Sequence, residues 1–242
     1  MAVLWGRQWS RTGLLARVGR LEQVAGVRLA AGIGWFRGFP GGLVSTCGLD
    51  HTLLGGPDDA TVFNYPHRVT ETYGLHGRYT GRPARLAGYG ARWDGDECVL
   101  WAEGEVVQAA LFGEQLMLRR RIEADLGGIS LRITDTVTNI GPTPCPHMLL
   151  YHCNVGFPVV DAGAALPHHI TWRQLGTVAY VVAMEPSTNR DAGRFDARER
   201  GELGYLAPGE ERRYRLEIGA LDGRDAIEAF AAGARELAAA PA

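Results

Sequence analysis

The stretch LMLRRRIEADLGGISLRITDTVT, which runs from Leu116 to Thr138, decides the fold. Apolar residues alternate with polar ones up to Ile122, the pair Gly127-Gly128 supplies a turn, and the alternation resumes at Ile129. Because successive side chains of a strand point to opposite faces, this pattern predicts two strands that each bury one face. Two such strands joined by a glycine turn form an antiparallel hairpin.

The rest of the chain repeats this pattern. Glycine, present in 33 copies, and proline separate short alternating apolar segments, which is typical of many strands joined by turns. We therefore predict an all-β fold, an antiparallel sandwich or barrel, in a single domain over residues 1–242. An alanine-rich stripe at helical spacing predicts one C-terminal helix, Asp225–Ala240, which we expect to close an edge of the sheet. The further predicted strands are Gly42–Leu49, Tyr73–Tyr79, Ala84–Trp93, Glu97–Glu103, Val106–Phe112, Met148–Val155, Val178–Glu185 and Arg212–Leu221.

Charge and lysine content exclude several classes of function. The 242 residues carry a formal net charge of -2, so no basic field is available to hold nucleic acid phosphates or anionic lipid. All 25 cationic residues are arginine, and the lack of lysine excludes Schiff-base chemistry and a phosphate-loop lysine. We expect neither nucleic acid nor membrane as a partner, and the oligomeric state has no readable signal.

The cysteines and the N-terminal region favour a cytoplasmic protein. Cys47, Cys98, Cys145 and Cys153 form no Cys-x-x-Cys pair, so neither a disulfide framework nor a thiolate zinc site is predicted. Charged residues interrupt the first twenty residues and leave no apolar run long enough for a signal peptide or a membrane span.

Three titratable residues, His76, His152 and Glu185, stand within otherwise apolar predicted strands. Burying such groups costs free energy unless they are paired or used, which makes them candidates for a functional site. Strand parity puts Asn154 on the same face as His152. We expect Pro186 to end its strand directly after Glu185, at the border of a concave site.

These residues can supply an acid and a base. Burial raises the proton affinity of Glu185, and His152 and His76 can donate a proton near neutral pH. Opening a cyclic hemiacetal needs a base on the anomeric hydroxyl and an acid on the ring oxygen, with no metal or organic cofactor. Two other interpretations stay open: a strand histidine is often a satisfied structural residue, and Glu185 could pair with Arg173 or Arg190.

Five motifs follow one another along the chain: His76-Gly77, Thr138-Asn139, Tyr151–Asn154, Glu185-Pro186 and Leu206–Glu210. In this order they resemble the galactose mutarotase-like (aldose 1-epimerase-like) superfamily, and an uncharacterised, shortened branch of it. The resemblance covers nearly all of the chain from about residue 41 to about residue 223, and its specificity lies in the ordered set.

The resemblance implies a fold and a reaction. The fold is a large antiparallel β-sandwich of the supersandwich type, with an open sugar cleft on one sheet. His152 matches the general acid that protonates the ring oxygen, and Glu185 matches the general base on the anomeric hydroxyl. His76 matches a second histidine that hydrogen-bonds the sugar. The implied protein is an isomerase that interconverts sugar anomers.

Three further residues are predicted to bind the sugar. For the family's substrate-binding arginine, Arg78 is a candidate by its proximity to His76, while Arg37 and Arg68 are candidates by their order in the chain. Asn154 shares a strand face with the predicted acid. Trp35 could offer an aromatic face to the C–H groups of a sugar, as could Trp172. Ordinary core packing is the alternative for both tryptophans.

Two other functions stay open. The family's sugar-binding aspartate has no clear counterpart here, which leaves a carbohydrate-binding or sensing domain without turnover as one alternative. A metal-dependent isomerase with a cupin-like barrel is the other, with candidate ligands Cys145, His147, His152, Cys153 and His168-His169. Strand parity argues against the second alternative, since His147 and His152 face opposite sides of a regular strand, and no metal site is predicted.

Overall fold

The computed structural model of the chain describes residues 43–65, 67–155, 166–175, 180–221 and 223–239. Two short 3-10 turns, Thr61–Phe63 and Tyr79–Gly81, interrupt a chain made mainly of strands. The strands are β1 (Val44–Leu49), β2 (Gly56–Asp59), β3 (Thr70–Tyr73), β4 (Arg85–Asp94), β5 (Glu97–Ala109), β6 (Gln115–Asp125), β7 (Ser130–Asn139), β8 (Cys145–Pro146), β9 (Met148–Val155), β10 (His168–Leu175), β11 (Tyr180–Ser187), β12 (Tyr205–Leu206) and β13 (Glu211–Gly219), and the helices are α1 (Arg194–Glu199) and α2 (Arg224–Ala239).

Two antiparallel sheets form the body of the structure. One has the strand order β13-β7-β6-β5-β4 and the other the order β1-β9-β11-β10, with the short pairs β2-β3 and β12-β8 beside them. Side chains from both sheets meet in one buried cluster, which includes Leu116, Leu118 and Val137 from the first sheet and Leu149 and Tyr151 from the second. The core therefore lies between the sheets, and the predicted antiparallel β-sandwich is confirmed.

The hairpin predicted over residues 116–138 is confirmed. β6 and β7 pair with Leu118 opposite Val137 and Ile122 opposite Ile133. Gly127 in the turn has a φ of 79°, a left-handed conformation that glycine adopts at little cost. The residues that alternate in the sequence thus point to one face of the hairpin, and Leu118, Ile133 and Val137 are buried there.

One pair of predicted strands is in fact a single strand. The segments predicted as Glu97–Glu103 and Val106–Phe112 form the continuous β5, which ends before Phe112. Gly104 does not break the strand, because it remains in the ladder where a Cβ would lie only 3.2 Å from the carbonyl oxygen of Arg85. Its missing side chain permits a close strand contact, so the predicted break between the two strands is wrong.

The predicted strand Tyr73–Tyr79 is wrong. β3 ends at Tyr73, and the chain then turns through His76 and Gly77, whose φ angles are 59° and 73°. Both angles are left-handed and cannot be part of an extended strand. The alternation in this segment therefore describes a loop that carries a histidine.

The predicted end of the strand at Glu185 is also wrong. β11 continues through Pro186 to Ser187, and Pro186 lies opposite His169 of β10. Proline fixes φ near a value that extended backbone tolerates and removes only one donor, so a ladder can pass through it near a strand end.

The C-terminal helix is confirmed, since α2 begins and ends one residue before the predicted helix. Its apolar stripe does not close a sheet edge as expected, because the side chains of Ile227 and Phe230 are 53% and 45% exposed. The helix α1 was not predicted, and it carries the buried Arg194, whose Nε donates to Asp58 at 2.6 Å. Within the described ranges, no helix combines the length and apolarity needed to cross a bilayer.

Candidate active site

Strand β9 separates the core from the candidate site. Its alternation places Leu149, Tyr151 and Cys153 in the buried cluster between the two sheets. The intervening residues therefore point to the opposite face of the four-stranded sheet, where Leu150 packs in a second, smaller apolar cluster and His152 follows it. The sequence placed His152 on this face correctly.

The neighbouring strand brings Glu185 to His152. β11 pairs antiparallel with β9, with Met184 opposite Cys153, so the next residue along β11 lies beside His152 on the same face. The Nε2 of His152 is 3.2 Å from the Oε1 of Glu185. The carboxyl group is therefore not held by Arg190, as one interpretation of the sequence had it, and Arg190 pairs instead with Glu202 at 3.1 Å.

A loop brings His76 over the same face. The N–H of His76 donates to the carbonyl of Leu53 at 2.9 Å, and the carbonyl of His76 accepts from the N–H of Gly48 in β1 at 3.3 Å. Gly77 forms an isolated parallel bridge with Gly48, and a Cβ on Gly77 would collide with the carbonyl oxygens of Gly48 and His51. Only glycine fits there, so the pair His76-Gly77 is a structural unit that docks the histidine on the sheet.

His76, His152 and Glu185 converge, and we call these three residues the triad. One donor atom from each lies within 4.8 Å of the donor atoms of the other two. The two imidazole rings meet edge to face, with centroids 5.6 Å apart. All three residues are buried, with 6%, 5% and 3% of their surface exposed. The convergence that the sequence hypothesis required is therefore present.

Burial sets the proton affinities of the triad. It raises the pKa of Glu185 to about 7. It lowers the pKa of His152, and burial followed by the nearness of His152 lowers the pKa of His76 to about 3. Desolvation disfavours the charged form of each group, which explains why the carboxyl and the imidazoles shift in opposite directions. Near neutral pH the two imidazoles are therefore mainly neutral, and the Glu185 carboxyl titrates in this range.

The predicted sugar-binding residues Asn154, Arg78 and Trp35 have three different outcomes. Asn154 follows His152 on β9, and its Nδ2 donates to the carbonyl of His152 at 3.2 Å. The guanidinium of Arg78 forms an ion pair with the buried carboxylate of Glu114. Trp35 lies outside the described residues.

Arg78 belongs to a buried polar network that the sequence analysis did not anticipate. Gln108 accepts from the N–H of Leu49 at 2.9 Å and donates to Asp50 and, at 3.4 Å, to Glu114. No local pattern signals this network, because its members come from β1, from β5 and from the turns around them.

Trp172, which the sequence analysis ranked behind Trp35, lies beside the triad. It lies on β10 opposite Ala183, two residues after Ile170, which lies opposite Glu185. Residues two apart on a strand point to the same face, so Trp172 is on the face of the triad. Its ring centroid is 6.5 Å from that of His152, and 40% of the residue is exposed. The alternation along β10 shows which residues share a face with Trp172. It does not show that β10 pairs with β11, and therefore it could not place Trp172 beside His152.

The cupin-like alternative is wrong in both fold and ligands. The sheets form a sandwich, and the ring nitrogens of His147 lie 2.9 Å from the carbonyl oxygen of Leu49 and 2.8 Å from the hydroxyl of Tyr214. All four cysteines are free and buried. Among the residues that the structure describes, the donors that gather in one place are those of the triad.

A family model matches most of the chain. It is the model described as Domain of unknown function (DUF4432), and it matches residues 10–166 and 164–220. The chain belongs to this family. No curated protein matches this DUF4432 member.

Solved structures share the fold of this DUF4432 member. The crystal structure of a "putative aldose 1-epimerase" from Klebsiella pneumoniae matches with a TM-score of 0.73 and 18% identity, over 88% of this chain and 72% of that one. The Slr1438 protein from Synechocystis sp. PCC 6803 matches with a TM-score of 0.50 and 12% identity, over 73% and 77% of the two chains. The fold that the resemblance implied is thus confirmed, since this chain shares the architecture of the "putative aldose 1-epimerase" structure.

Proposed function

We propose that this DUF4432 member is an aldose 1-epimerase-like isomerase that interconverts the anomers of a sugar by general acid–base catalysis. The observation that carries the proposal is the 3.2 Å contact between the His152 imidazole and the Glu185 carboxyl on the outer face of the four-stranded sheet. His76 completes the site from above the sheet.

The geometry suits the two oxygens that react. The anomeric hydroxyl oxygen and the ring oxygen of a sugar are bonded to the same carbon, so the base and the acid must stand side by side. Cross-strand neighbours on one sheet face meet this requirement. Glu185 removes the anomeric hydroxyl proton, the bond from the anomeric carbon to the ring oxygen breaks, and His152 protonates the ring oxygen. Closure after rotation of the open aldehyde reverses the two transfers.

The proton affinities support the same roles. A general base works best when its pKa lies near the working pH, and burial raises the pKa of Glu185 to about 7. Glu185 takes one proton while His152 gives one, so the pair holds the same number of protons before and after each half-reaction. The pair is therefore ready for the reverse transfer without exchange with solvent.

The test is the interconversion of anomers, followed by NMR on freshly dissolved α-hexoses, α-pentoses and sugar phosphates. We expect the wild-type chain to equilibrate at least one of these faster than buffer. Glu185→Gln keeps the shape of the side chain but removes the base, and general-base loss lowers a rate by about 10²- to 10⁴-fold. Glu202→Gln is the matched control, since Glu202 is an exposed carboxylate that pairs with Arg190, and its rate should stay at the wild-type level. No acceleration with any sugar, or an unchanged rate in Glu185→Gln, would overturn the proposal.

A carbohydrate-binding domain without turnover is the second candidate. The observation that favours it is the ion pair of Arg78 with Glu114, which engages the guanidinium predicted to bind the sugar. Calorimetric titration with the same sugars separates the two candidates. Heat of binding without anomer exchange supports the second, whereas anomer exchange excludes it.

A further inference from the structure

We propose that the triad also binds a divalent transition-metal ion, with Zn²⁺ as the best match, and that the ion competes with the sugar. His76, His152 and Glu185 present two imidazole nitrogens and one carboxylate oxygen to a common point. The metal site follows from the arrangement of these donors and stands apart from the sugar chemistry, while the competition rests on the proposed function.

The distances are close to those of a zinc site. Zinc binds histidine nitrogen and carboxylate oxygen at about 2.0–2.1 Å, and in a tetrahedron neighbouring ligand atoms are then about 3.3 Å apart. The His152 nitrogen and the Glu185 oxygen are 3.2 Å apart, which is already this spacing. All donor atoms of the triad lie within 4.8 Å of one another, so a movement of His76 by about 1.5 Å closes the set.

The approach of His76 is a movement of its side chain. His152 and Glu185 stand on paired central strands of a four-stranded sheet, where the backbone is held on both sides. The backbone of His76 is held by its hydrogen bonds to Leu53 and Gly48, so the ring approaches the other two donors by rotation about its side-chain torsions while the sheet stays unchanged. Three protein donors leave the fourth position of a zinc tetrahedron to an external ligand.

The donor set selects the class of metal. Two imidazoles suit zinc, copper, iron and nickel, whereas magnesium and calcium require mainly oxygen ligands. One carboxylate and two neutral imidazoles leave a net charge of +1 on a bound Zn²⁺ ion, which a water, a hydroxide or a sugar hydroxyl can share. Among the described residues, no cysteine sulfur is one of the donor atoms that gather at this point.

Competition follows from shared atoms. The Glu185 oxygen and the His152 nitrogen that would exchange protons with the sugar are the same atoms that would coordinate the metal. A metal-bound carboxylate cannot accept the anomeric proton, and a metal-bound imidazole nitrogen has no proton to donate. Zn²⁺ would therefore act as a reversible inhibitor of anomer interconversion, and a chelator would restore the activity.

The experiment is a calorimetric titration of the chelator-treated full chain with ZnCl₂ in sugar-free buffer. We expect one Zn²⁺ per chain, and MgCl₂ should give no heat. His76→Asn and Glu185→Gln should each weaken zinc binding by at least about tenfold, since even the loss of a partner behind a ligand has that effect. His169→Asn is the control, because His169 is an exposed histidine on β10 outside the triad. Anomalous scattering at the zinc edge from wild-type crystals locates the ion without any variant.

The outcomes separate clearly. One-to-one binding that the triad substitutions weaken and His169→Asn does not, with the zinc peak between the three side chains, supports the proposal. Zinc binding that is equal in all variants, a peak elsewhere, or no binding below millimolar concentration overturns it. Because the titration contains no sugar, its result does not depend on whether the chain interconverts anomers, so the metal site and the proposed function can fail separately.

Discussion

Two buried polar clusters lie on opposite faces of strand β9, at adjacent residues of the chain. Tyr151 points between the sheets, where its hydroxyl donates to Asp135 at 2.7 Å and Arg120 holds the same carboxylate with contacts of 2.8 and 2.6 Å. We call Arg120, Asp135 and Tyr151 the core network. His152, the next residue, points the other way and joins the triad.

The two clusters differ in how their charges are compensated. In the core network burial alone would lower the pKa of Arg120, but the hydrogen bonds and the charge of Asp135 raise it. In the triad burial acts on Glu185 without any compensating cation, and the pKa of the carboxyl rises to about 7. A buried group that has an oppositely charged partner stays ionised and serves a structural role. A buried carboxyl that lacks such a partner titrates near the pH at which an enzyme works.

The largest expected effect comes from breaking the core network. Asp135→Asn leaves the Arg120 guanidinium without its counter-charge, and removing one partner of a buried pair costs about 3–5 kcal/mol. We expect the lower end of this range, because 20% of the Arg120 side chain is exposed. The free energy of unfolding in urea measures the loss. Tyr151→Phe, which removes one hydrogen bond, should cost only about 1 kcal/mol. Equal losses for the two variants would contradict this account of the network.

In the triad we expect a substitution to stabilise the folded chain, whereas in the core network it destabilises the chain. The pKa of Glu185 is about 7 in the folded chain against 4.5 for an ordinary glutamate, so folding favours its protonated form. That contribution is fully present below pH 4.5 and is lost as the pH rises through 7. Glu185→Gln cannot ionise, and at pH 8 it should be more stable than wild type by about 3 kcal/mol. At pH 4 the two should unfold at the same urea concentration. A variant that is less stable than wild type at pH 8 would show that Glu185 has a compensating partner.

The same contrast shows what the sequence could reveal. The bounds of β9 were predicted as Met148–Val155, because period-two alternation is a local property that the backbone must follow. Parity then put His152 and Asn154 on one face of the strand and Tyr151 on the other. The neighbours of β9 were not readable, since β11 reaches it through pairing between distant segments. For this reason the contact between His152 and Glu185 could be expected only from the resemblance.

The position of His76 was beyond a strand-based prediction. Its segment alternates like a strand, yet the left-handed φ angles of His76 and Gly77 turn it into a loop over the sheet. The pairing of Arg78 with Glu114 was unreadable for the same reason, because the two residues lie on separate loops. Long-range contacts of loops carry no periodic signal in the sequence.

A smaller effect tests how the loop docks the histidine. Gly77→Ala places a side chain at a φ of 73° and against two carbonyl oxygens, so we expect a loss of about 2–3 kcal/mol in the free energy of unfolding. Gly95→Ala is the matched control, since Gly95 has a φ of 60° with nothing within 4 Å of its added Cβ. It should lose only the cost of a left-handed alanine backbone, about 1–2 kcal/mol. Equal losses would mean that the contact of Gly77 with β1 does not hold His76.

The smallest expected effect concerns the ring beside the triad. Trp172 is 40% exposed and its ring is 6.5 Å from that of His152, so under the proposed function it contacts the apolar side of the sugar. Trp172→Ala should raise KM by about two- to tenfold, equivalent to about 0.5–1.5 kcal/mol, with kcat nearly unchanged. Trp93→Ala is the control, because Trp93 is 62% exposed on β4 of the other sheet. A fall in kcat at constant KM would instead assign Trp172 to the positioning of His152 and extend the triad by one member.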